Sequence, residues 1–208
     1  MDNPYDHYWK TRGVSGHRPR YRIFLDWVKP KSRILEFGAG DGYLGDLMQK
    51  ERQAEYLATD ISEAGLATAR SRGVPTEVLN ASDVASLRKR FPDHSYDYVI
   101  MTEFLEHIVN SEDVLKEAIR IARVGVLVSI PNSAYWRYRL QLLFGNFPKQ
   151  WAIFPYEHVR FWSVTDFLET VRSLGFQVNQ YRASNGKKPL RDWWPNLFGF
   201  QICYYIAR

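Results

Sequence analysis

Three glycines on alternate residues, Gly38, Gly40 and Gly42, follow a short apolar segment that ends near a carboxylate, Glu36. Glycine lacks a side chain, so a turn of this kind can adopt sharp backbone angles and bring main-chain N–H groups close to a ligand. The helix expected at about 42–50 then directs its N-terminus towards the same place. These residue types, in this order, predict a pocket for a nucleotide-like ligand.

The spacing of the glycines excludes two common phosphate-binding loops. A dinucleotide-binding loop has the pattern G-x-G-x-x-G, and here the third glycine comes one residue early. A Walker-type loop ends in a lysine, and no lysine follows Gly42 directly. Glu36 would attract a cationic group and repel a phosphate. A ligand with adenosine at one end and an ammonium or sulfonium group at the other fits this polarity.

Asp60 lies at the end of the next predicted strand, twenty residues after Gly40. An acidic residue at about that distance from a glycine-rich turn is placed to bind a ribose diol. The alternative is a strand-to-helix turn that happens to be rich in glycine. Because Glu36 precedes the turn and Asp60 follows it, we favour the ligand site.

The run Asn80-Ala81-Ser82-Asp83 follows the third predicted strand, where an adenine ring would lie. Ser82 or Asp83 could accept a hydrogen bond from the exocyclic amine of the ring. The alternative is an ordinary N-cap for the helix that follows.

Titratable side chains, Glu103, Glu106 and His107, come directly after the fourth predicted strand. The carboxyl edge of the strands is the ligand crevice of an open α/β sheet. His107 is the side chain there that can exchange a proton near neutral pH unaided. The alternative is a helical turn whose acids stabilise its positive end.

Apolar segments alternate with helical ones up to Pro131, which predicts an α/β fold with a mostly parallel sheet covered on both faces. Strands are expected at 33–37, 55–59, 76–79, 96–101 and 124–130, and helices near 42–50, 63–72 and 111–122. Another helix is expected to begin at Ser163 and to end at Gly175. Two last strands, about 176–182 and 199–206, are expected to form an antiparallel pair.

The segment from Ile34 to Asp60 resembles the cofactor half of a class I S-adenosylmethionine-dependent methyltransferase. Further motifs, PNSAYWRYRLQLLFGNFPK and WWPNLF, extend the resemblance to the methionine biosynthesis protein MetW family. The resemblance implies a Rossmann-like fold of seven strands, S-adenosyl-L-methionine as cofactor and S-adenosyl-L-homocysteine as product. Members of that family usually carry glutamines where this chain has Glu103 and Glu106-His107.

The resemblance and the motifs together predict three sets of site residues. The cofactor set is Glu36, Gly38, Ala39, Gly40, Gly42, Tyr43, Asp60, Ile61, Ala81, Ser82, Asp83, Thr102 and Glu103. The catalytic candidates are His107, Glu106 and Glu103. The acceptor-side set is Tyr8, Trp9, Trp136, Arg137, Arg139, Tyr156 and His158.

The acceptor-side residues come from two segments, an N-terminal helical cap at 1–30 and an insertion at 131–162 that is rich in aromatic residues and arginine. Aromatic and arginine side chains can bind an anionic or planar acceptor, and they can also form a surface for a partner protein. For any single aromatic side chain, packing beneath a lid is the alternative.

The composition, with 45% hydrophobic residues, fits one α/β domain over residues 1–208, and the resemblance implies that it is a methyltransferase domain. The single cysteine excludes a disulfide framework, and no metal is expected. The net charge of +5 comes without an extended basic arm, so nucleic acid is an unlikely partner and RNA methylation is a minor alternative. No apolar run has the length of a signal peptide core or a membrane span, so we expect no membrane association and a cytoplasmic protein.

Two functions of different classes remain open. The first is an enzyme that moves a methyl group to an O, N or C atom of a small-molecule acceptor. The second is a MetW-like accessory protein that binds an acyltransferase of methionine synthesis. An enclosed pocket would favour the enzyme, and a contiguous exposed apolar patch would favour the accessory protein.

Overall fold

The computed structural model describes residues 4–12, 16–150 and 157–208, and its central feature is a seven-stranded sheet. The strands are β1 (Arg33–Phe37), β2 (Glu55–Asp60), β3 (Thr76–Val78), β4 (Tyr96–Thr102), β5 (Ala122–Pro131), β6 (Val178–Gly186) and β7 (Gly199–Ala207). Their order in the sheet is β3-β2-β1-β4-β5-β7-β6.

The first five strands are parallel, and β7 runs antiparallel to both of its neighbours, β5 and β6. This arrangement confirms the predicted α/β fold with an antiparallel pair at the C-terminal end of the chain. The chain order reverses between the adjacent strands β1 and β4, and a crevice forms beyond the carboxyl ends of such strands. Because β7 is antiparallel, its first residues lie beside the last residues of β5.

The helices are α1 (Pro4–Arg12), α2 (Pro19–Trp27), α3 (Tyr43–Arg52), α4 (Glu63–Ser71), α5 (Val84–Arg90), α6 (Ser111–Ile121), α7 (Trp136–Leu143), α8 (Val164–Ser173), α9 (Leu190–Trp193) and α10 (Pro195–Phe198). A 3₁₀ turn, Leu105–His107, follows β4. Among the described residues, no helix combines the length and the apolar character that crossing a bilayer requires.

The predicted start of α8 is confirmed by its hydrogen bonds. Ser163 Oγ accepts from the Asp166 backbone N–H, and the Asp166 carboxylate accepts from the Ser163 backbone N–H, at 3.1 and 3.0 Å. This reciprocal capping box satisfies two of the backbone donors that a helix leaves free at its N-terminus. Gly175, with φ of +87°, follows the end of the helix.

Buried side chains cover both faces of the sheet, as the apolar strands predict. Alternate residues of β4 show the division, since Tyr98 and Ile100 pack on one face and Val99 and Met101 on the other. The first face lies beneath α2, α3 and α4, and the second beneath α5, α6 and α8. The central strands are therefore held from both sides, which fixes the positions of the loops at their carboxyl ends.

Candidate functional site

A cavity of about 640 Å³ lies at the carboxyl edge of β1, β2 and β4. Its wall includes the glycine turn, the ends of these strands and the 3₁₀ turn after β4. Side chains of α1, of α2, of the segment 157–158 and of the start of β7 complete it. Residues that are far apart in the chain thus line one cavity.

The glycine turn adopts left-handed backbone angles at all three glycines, with φ of +70°, +54° and +68° at Gly38, Gly40 and Gly42. A Cβ on Gly40 would collide with the ring of Trp9, and a Cβ on Gly42 would collide with Ala69 of α4. Gly38 lines the cavity, Gly40 leaves room for the ring of Trp9, and Gly42 allows the turn to pack on α4. Glycine is needed at each position for its backbone and for the space it leaves.

Asp60 joins the glycine turn to the end of β2. Its two carboxylate oxygens accept hydrogen bonds from the backbone N–H groups of Gly40 and Ser62, each at 2.8 Å. Burial raises the pKa of Asp60, and these hydrogen bonds oppose the shift. A carboxylate oxygen accepts more than one hydrogen bond, so Asp60 retains capacity for the hydroxyl groups of a ribose.

Glu36 lies on the cavity wall at the end of β1 and is only 2% exposed. Its carboxylate accepts hydrogen bonds from the Tyr56 hydroxyl at 2.7 Å and the Thr102 hydroxyl at 3.3 Å. Burial raises the pKa of Glu36 to about 7, although both hydroxyl groups lower it, and the nearby Asp60 and Asp41 raise it further. A cationic group in the cavity would therefore favour the ionised form of Glu36.

The predicted adenine side is formed by Ile61 and the residues that follow β3. Ile61, Ala81 and Ser82 line the cavity, and Ile61 is 41% exposed. Asp83 instead caps α5 by accepting from the Ser86 backbone N–H at 3.1 Å. The geometry thus favours the N-cap alternative for Asp83, which does not line the cavity.

Three other residues of the predicted cofactor set, Gly40, Gly42 and Tyr43, also lie outside the cavity wall, and Gly40 is covered by the ring of Trp9. Tyr43 is the first residue of α3 and stacks on Tyr21 with 5.7 Å between ring centroids. These residues shape the turn rather than face the cavity. The geometry therefore gives them a positioning role.

Glu103 is held rigidly at the end of β4. Its backbone has a φ of +49°, which is uncommon for a residue with a side chain. Its carboxylate accepts from the Ser129 hydroxyl at 2.9 Å and from the Gln201 side-chain amide at 2.8 Å. Residues of β5 and β7 therefore fix this carboxylate on the cavity wall.

Glu106, His107 and His158 form a cluster on the same wall. The rings of the two histidines lie edge to face, with 4.7 Å between their centroids. Burial lowers the pKa of His107, and it lowers the pKa of His158 to about 4, so both imidazoles are neutral at pH 7. Burial raises the pKa of Glu106, and the neighbouring Glu103 carboxylate adds to that effect.

The helix α1 covers the glycine turn. Asp6 accepts hydrogen bonds from the Ser62 hydroxyl at 2.6 Å and the Ala64 backbone N–H at 3.1 Å, which ties α1 to the start of α4. Trp9 lies against Gly40 and Gly65. Tyr5 and Tyr8, on the same helix, also line the cavity.

The predicted acceptor-side set is only partly brought together. Tyr8, Trp9 and His158 line the cavity, while Trp136, Arg137 and Arg139 do not. Successive residues of a helix point about 100° apart, and in α7 it is Tyr138 that faces the cavity. Tyr156 lies outside the described residues.

The three excluded side chains of α7 have other surroundings. Trp136 and Arg137 line a separate groove with Lys187, and the Arg139 guanidinium donates to the backbone carbonyls of Ala134 and Asn196 at 2.6 and 3.4 Å. We therefore remove Trp136, Arg137 and Arg139 from the candidate site. Arg139 thus joins α7 to α10, and Trp136 lies beneath the Lys187 ammonium group.

Several cavity residues escaped the sequence analysis, among them Arg20, Glu157, Phe200 and Gln201. Phe200 and Gln201 could have been found, because an antiparallel last strand must begin at the edge where β5 ends. For Arg20 and Glu157 the sequence carries no comparable signal.

The comparisons with known proteins agree with this geometry. A family model described as methionine biosynthesis protein MetW matches residues 18–206. A probable S-adenosylmethionine-dependent methyltransferase of Mycobacterium tuberculosis is 34% identical over 118 residues, which cover 54% of this chain and 42% of the relative. A ubiquinone/menaquinone biosynthesis C-methyltransferase from Xanthomonas oryzae is 28% identical over 119 residues, which cover 54% of this chain and 47% of the relative. The chain spans about half the length of these curated relatives.

Solved structures share the whole fold at low sequence identity. An S-adenosylmethionine-dependent methyltransferase from Archaeoglobus fulgidus matches with a TM-score of 0.70 and 18% identity, covering 100% of both chains. The magnesium protoporphyrin IX methyltransferase of Synechocystis, solved with bound S-adenosylhomocysteine, matches with a TM-score of 0.67 and 13% identity, covering 98% of this chain and 94% of that one. At these identities the likeness establishes the class I methyltransferase fold.

Proposed function

The chain belongs to the methionine biosynthesis protein MetW family, and from that premise we propose that it is an S-adenosylmethionine-dependent methyltransferase acting on an O, N or C atom of a small-molecule acceptor. The observation that carries the proposal is the hydrogen bond from the Gly40 backbone N–H to Asp60, whose side chain lines the cavity. This bond joins the two predicted halves of the donor site, the glycine turn and the ribose-binding carboxylate.

The residues around this bond fit the donor at both of its ends. Asp60 receives the ribose hydroxyls, and Ile61 with Ser82 borders the adenine. Glu36, buried beside the glycine turn, receives the amino-acid end with its ammonium group. The bound donor supplies a methyl group already activated on a sulfonium centre, so transfer depends chiefly on alignment.

The acceptor enters between the end of β4 and the segment 157–158. Glu103 is fixed by Ser129 and Gln201 and so presents a rigid polar wall for orienting the acceptor. The proton of an acceptor O–H or N–H group can pass to Nε2 of His107, because Nδ1 of that ring donates to the Glu157 carbonyl. Tyr8 and Trp9 of α1 close the cavity and limit the access of water.

A second candidate function is the accessory role that the family name suggests. Apolar side chains around the end of α7, Leu142, Leu143, Phe144 and Phe147, are 53–76% exposed, which suits a surface for a partner protein. An acyltransferase of methionine synthesis is the partner that the family resemblance implies. The cavity of about 640 Å³, lined by most of the predicted donor residues, favours the enzyme as the first proposal.

Calorimetric titration with S-adenosylmethionine and S-adenosylhomocysteine tests the donor site. We expect micromolar binding of both ligands to the wild-type protein. Asp60→Ala should weaken binding about 10- to 100-fold, since hydrogen bonds to a charged group contribute about 1.5–3 kcal/mol. Asp26→Ala, the same change at an exposed residue of α2, is the matched control and should bind as the wild type does.

Circular dichroism of each variant checks that the fold is retained. If folded wild-type protein binds neither ligand, the donor site is rejected and the accessory role becomes the leading proposal. If Asp60→Ala binds as tightly as Asp26→Ala, the ribose is held elsewhere.

A further inference from the structure

Glu106, His107 and His158 form a cluster of possible metal ligands. The proposed methyl transfer uses only His107 of these three. One ligand atom of each residue lies within 4.8 Å of the others. Two of the five histidines in the chain therefore lie close to one carboxylate on the cavity wall. The spacing of these three residues in the sequence matches no metal-binding motif, so the cluster is recognisable only in the folded structure.

Glu106 is the unusual member of this cluster. Its side chain is 1% exposed, and neither carboxylate oxygen has a hydrogen-bond partner. Burying a charge without a partner is costly, so buried carboxylates are normally paired, protonated or bound to a metal. Arg20 brings positive charge to this side of the cavity but makes no hydrogen bond to Glu106. The Glu103 carboxylate, in contrast, accepts hydrogen bonds from Ser129 and Gln201.

The two imidazoles each present a nitrogen lone pair. Nδ1 of His107 lies 2.8 Å from the backbone carbonyl of Glu157, so Nδ1 carries the proton and Nε2 is the available ligand atom. Such a second hydrogen bond commonly orients a histidine that ligates a metal. In His158, Nδ1 is buried without a partner.

The backbone holds the two halves of the cluster together. The Glu106 carbonyl accepts from the N–H groups of Val159 and Arg160, at 2.8 and 3.1 Å. The Arg160 guanidinium reaches the Val109 carbonyl and the Glu112 carboxylate, each at 2.6 Å. The segment that carries His158 is thus fixed against the 3₁₀ turn that carries Glu106 and His107.

We propose that Glu106, His107 and His158 bind one divalent transition-metal ion of the Zn²⁺ type. Two imidazole nitrogens and one carboxylate oxygen are a common catalytic zinc set, which leaves one position open. Mg²⁺ and Ca²⁺ prefer sites made of oxygen atoms alone and suit this set less well. We expected no metal from the sequence, and this cluster is the reason to propose one.

The geometry requires a modest adjustment on binding. Ligand atoms around a tetrahedral Zn²⁺ lie roughly 3.3 Å apart, given bond lengths of about 2.0–2.1 Å. The ligand atoms now lie up to 4.8 Å apart, so side-chain rotations must bring them up to about 1.5 Å closer to bind an ion. The pairing of Glu106 with the ion also removes the cost of its burial.

The open coordination position of the metal ion faces the cavity, because all three ligand side chains line the cavity. An oxygen of water or of a small molecule completes the coordination there. If this molecule is the methyl acceptor, that assignment rests on the proposed function. The binding of the metal ion does not depend on the proposed function. A metal on Nε2 of His107 would take the lone pair that otherwise accepts a proton, so the two roles exclude one another.

Equilibrium dialysis and calorimetry of chelator-treated protein without a histidine tag test this site, with Zn²⁺ as the probe. We expect one Zn²⁺ per chain, bound with submicromolar affinity. Co²⁺ should replace it and give the visible absorption bands of a four- or five-coordinate ion. Glu106→Gln, which keeps the side-chain shape, and His158→Ala should each weaken Zn²⁺ binding at least about 100-fold, since even outer-shell changes commonly cost 10- to 100-fold.

His94→Ala is the matched control, because His94 lies beside Ala122 and Arg208, outside the cavity. It should bind Zn²⁺ as the wild type does. The site is overturned if the wild type binds no stoichiometric Zn²⁺, or if Glu106→Gln and His158→Ala bind it unchanged. The titration needs neither donor nor acceptor, so protein that binds Zn²⁺ but not S-adenosylhomocysteine would keep the metal site and reject the methyltransferase.

Discussion

At the scale of single residues, the two carboxylates of the donor site are held in different ways. Asp60 accepts hydrogen bonds from two backbone N–H groups, which favour its ionised form. Glu36 accepts from two hydroxyl groups and is more deeply buried, so its pKa rises to about 7. Burial raises the pKa of Asp60 as well, and its backbone hydrogen bonds oppose that shift. Glu36, with a pKa close to neutrality, can change its charge when a ligand binds.

The affinity for S-adenosylhomocysteine should depend on pH through Glu36. The ammonium group of the ligand stabilises the carboxylate, so binding lowers the pKa of Glu36 and releases a proton. Affinity should then rise as the pH increases from about 5.5 to about 7.5, by up to tenfold per pH unit below the pKa of the free protein. Calorimetry across this range in buffers of different ionisation enthalpy would measure both the affinity and the proton release.

The variant Glu36→Gln keeps the side-chain shape and should bind more weakly, with little dependence on pH. Asp60 and Asp41 face Glu36 across the turn, and Tyr21 and Tyr56 pack on the same side. If Glu36→Gln retains the pH dependence of the wild type, one of these acids or another group carries it and the role of Glu36 is wrong.

The sequence predicted the residues whose role depends on neighbours in the chain. Gly40 and Asp60 are recognisable because a turn and the next strand end recur at a fixed spacing. The partners of Glu103 and His107 are not recognisable, since Gln201 and Glu157 lie 98 and 50 residues away in the chain. Such contacts depend on tertiary packing, which residue types alone do not specify.

At the scale of elements, α1 is held to the rest of the protein chiefly by polar contacts. Asp6 lies at the N-terminus of α4, where a negative charge is favoured by the helix dipole. The hydrogen bond from Ser62 lowers the pKa of Asp6, which indicates that the contact favours the ionised form. Since α1 also covers the glycine turn, its docking and the binding of the donor should be coupled.

Limited proteolysis measures this coupling. Trypsin should cleave after Lys10, which is exposed, more slowly when S-adenosylhomocysteine is bound. Asp6→Ala should speed cleavage in the free protein and weaken ligand binding several-fold, because loss of a helix cap costs about 0.5–2 kcal/mol. Asp113→Ala, at an exposed acid in the first turn of α6, serves as the control. It should leave the cleavage rate and the ligand affinity unchanged.

Equal cleavage rates for Asp6→Ala and the wild type, with and without ligand, would show that α1 is not held by Asp6. If the ligand does not change the cleavage rate of the wild type, the docking of α1 is not coupled to binding at the donor site.

The elements that the sequence located least well are those without a two-sided apolar pattern. β6 is an edge strand with mostly exposed residues, and it runs to Gly186, four residues beyond the expected end. α7 exposes most of its surface, so its sequence did not indicate which side chains face the cavity. The central strands β4 and β5 were located to within two residues because both of their faces are apolar and buried.

At the scale of the whole molecule, the strand order brings the site together. The parallel strands β1, β2 and β4 end at one edge, and the antiparallel β7 begins there. The helix α1 and the segment 157–158 close the space above that edge. We expected seven strands and an N-terminal helical cap at 1–30 from the sequence, whereas the strand order and the contribution of the start of β7 come from the structure.

The central claim is that the cavity binds the methyl donor with its reactive end towards Glu103, His107 and His158. A crystal structure of the protein with S-adenosylhomocysteine tests it most directly. We expect the ribose hydroxyls within hydrogen-bonding distance of Asp60, the adenine beside Ile61, and the sulfur facing the end of β4. A ligand bound outside this cavity, or an empty cavity at saturating ligand, would contradict the account.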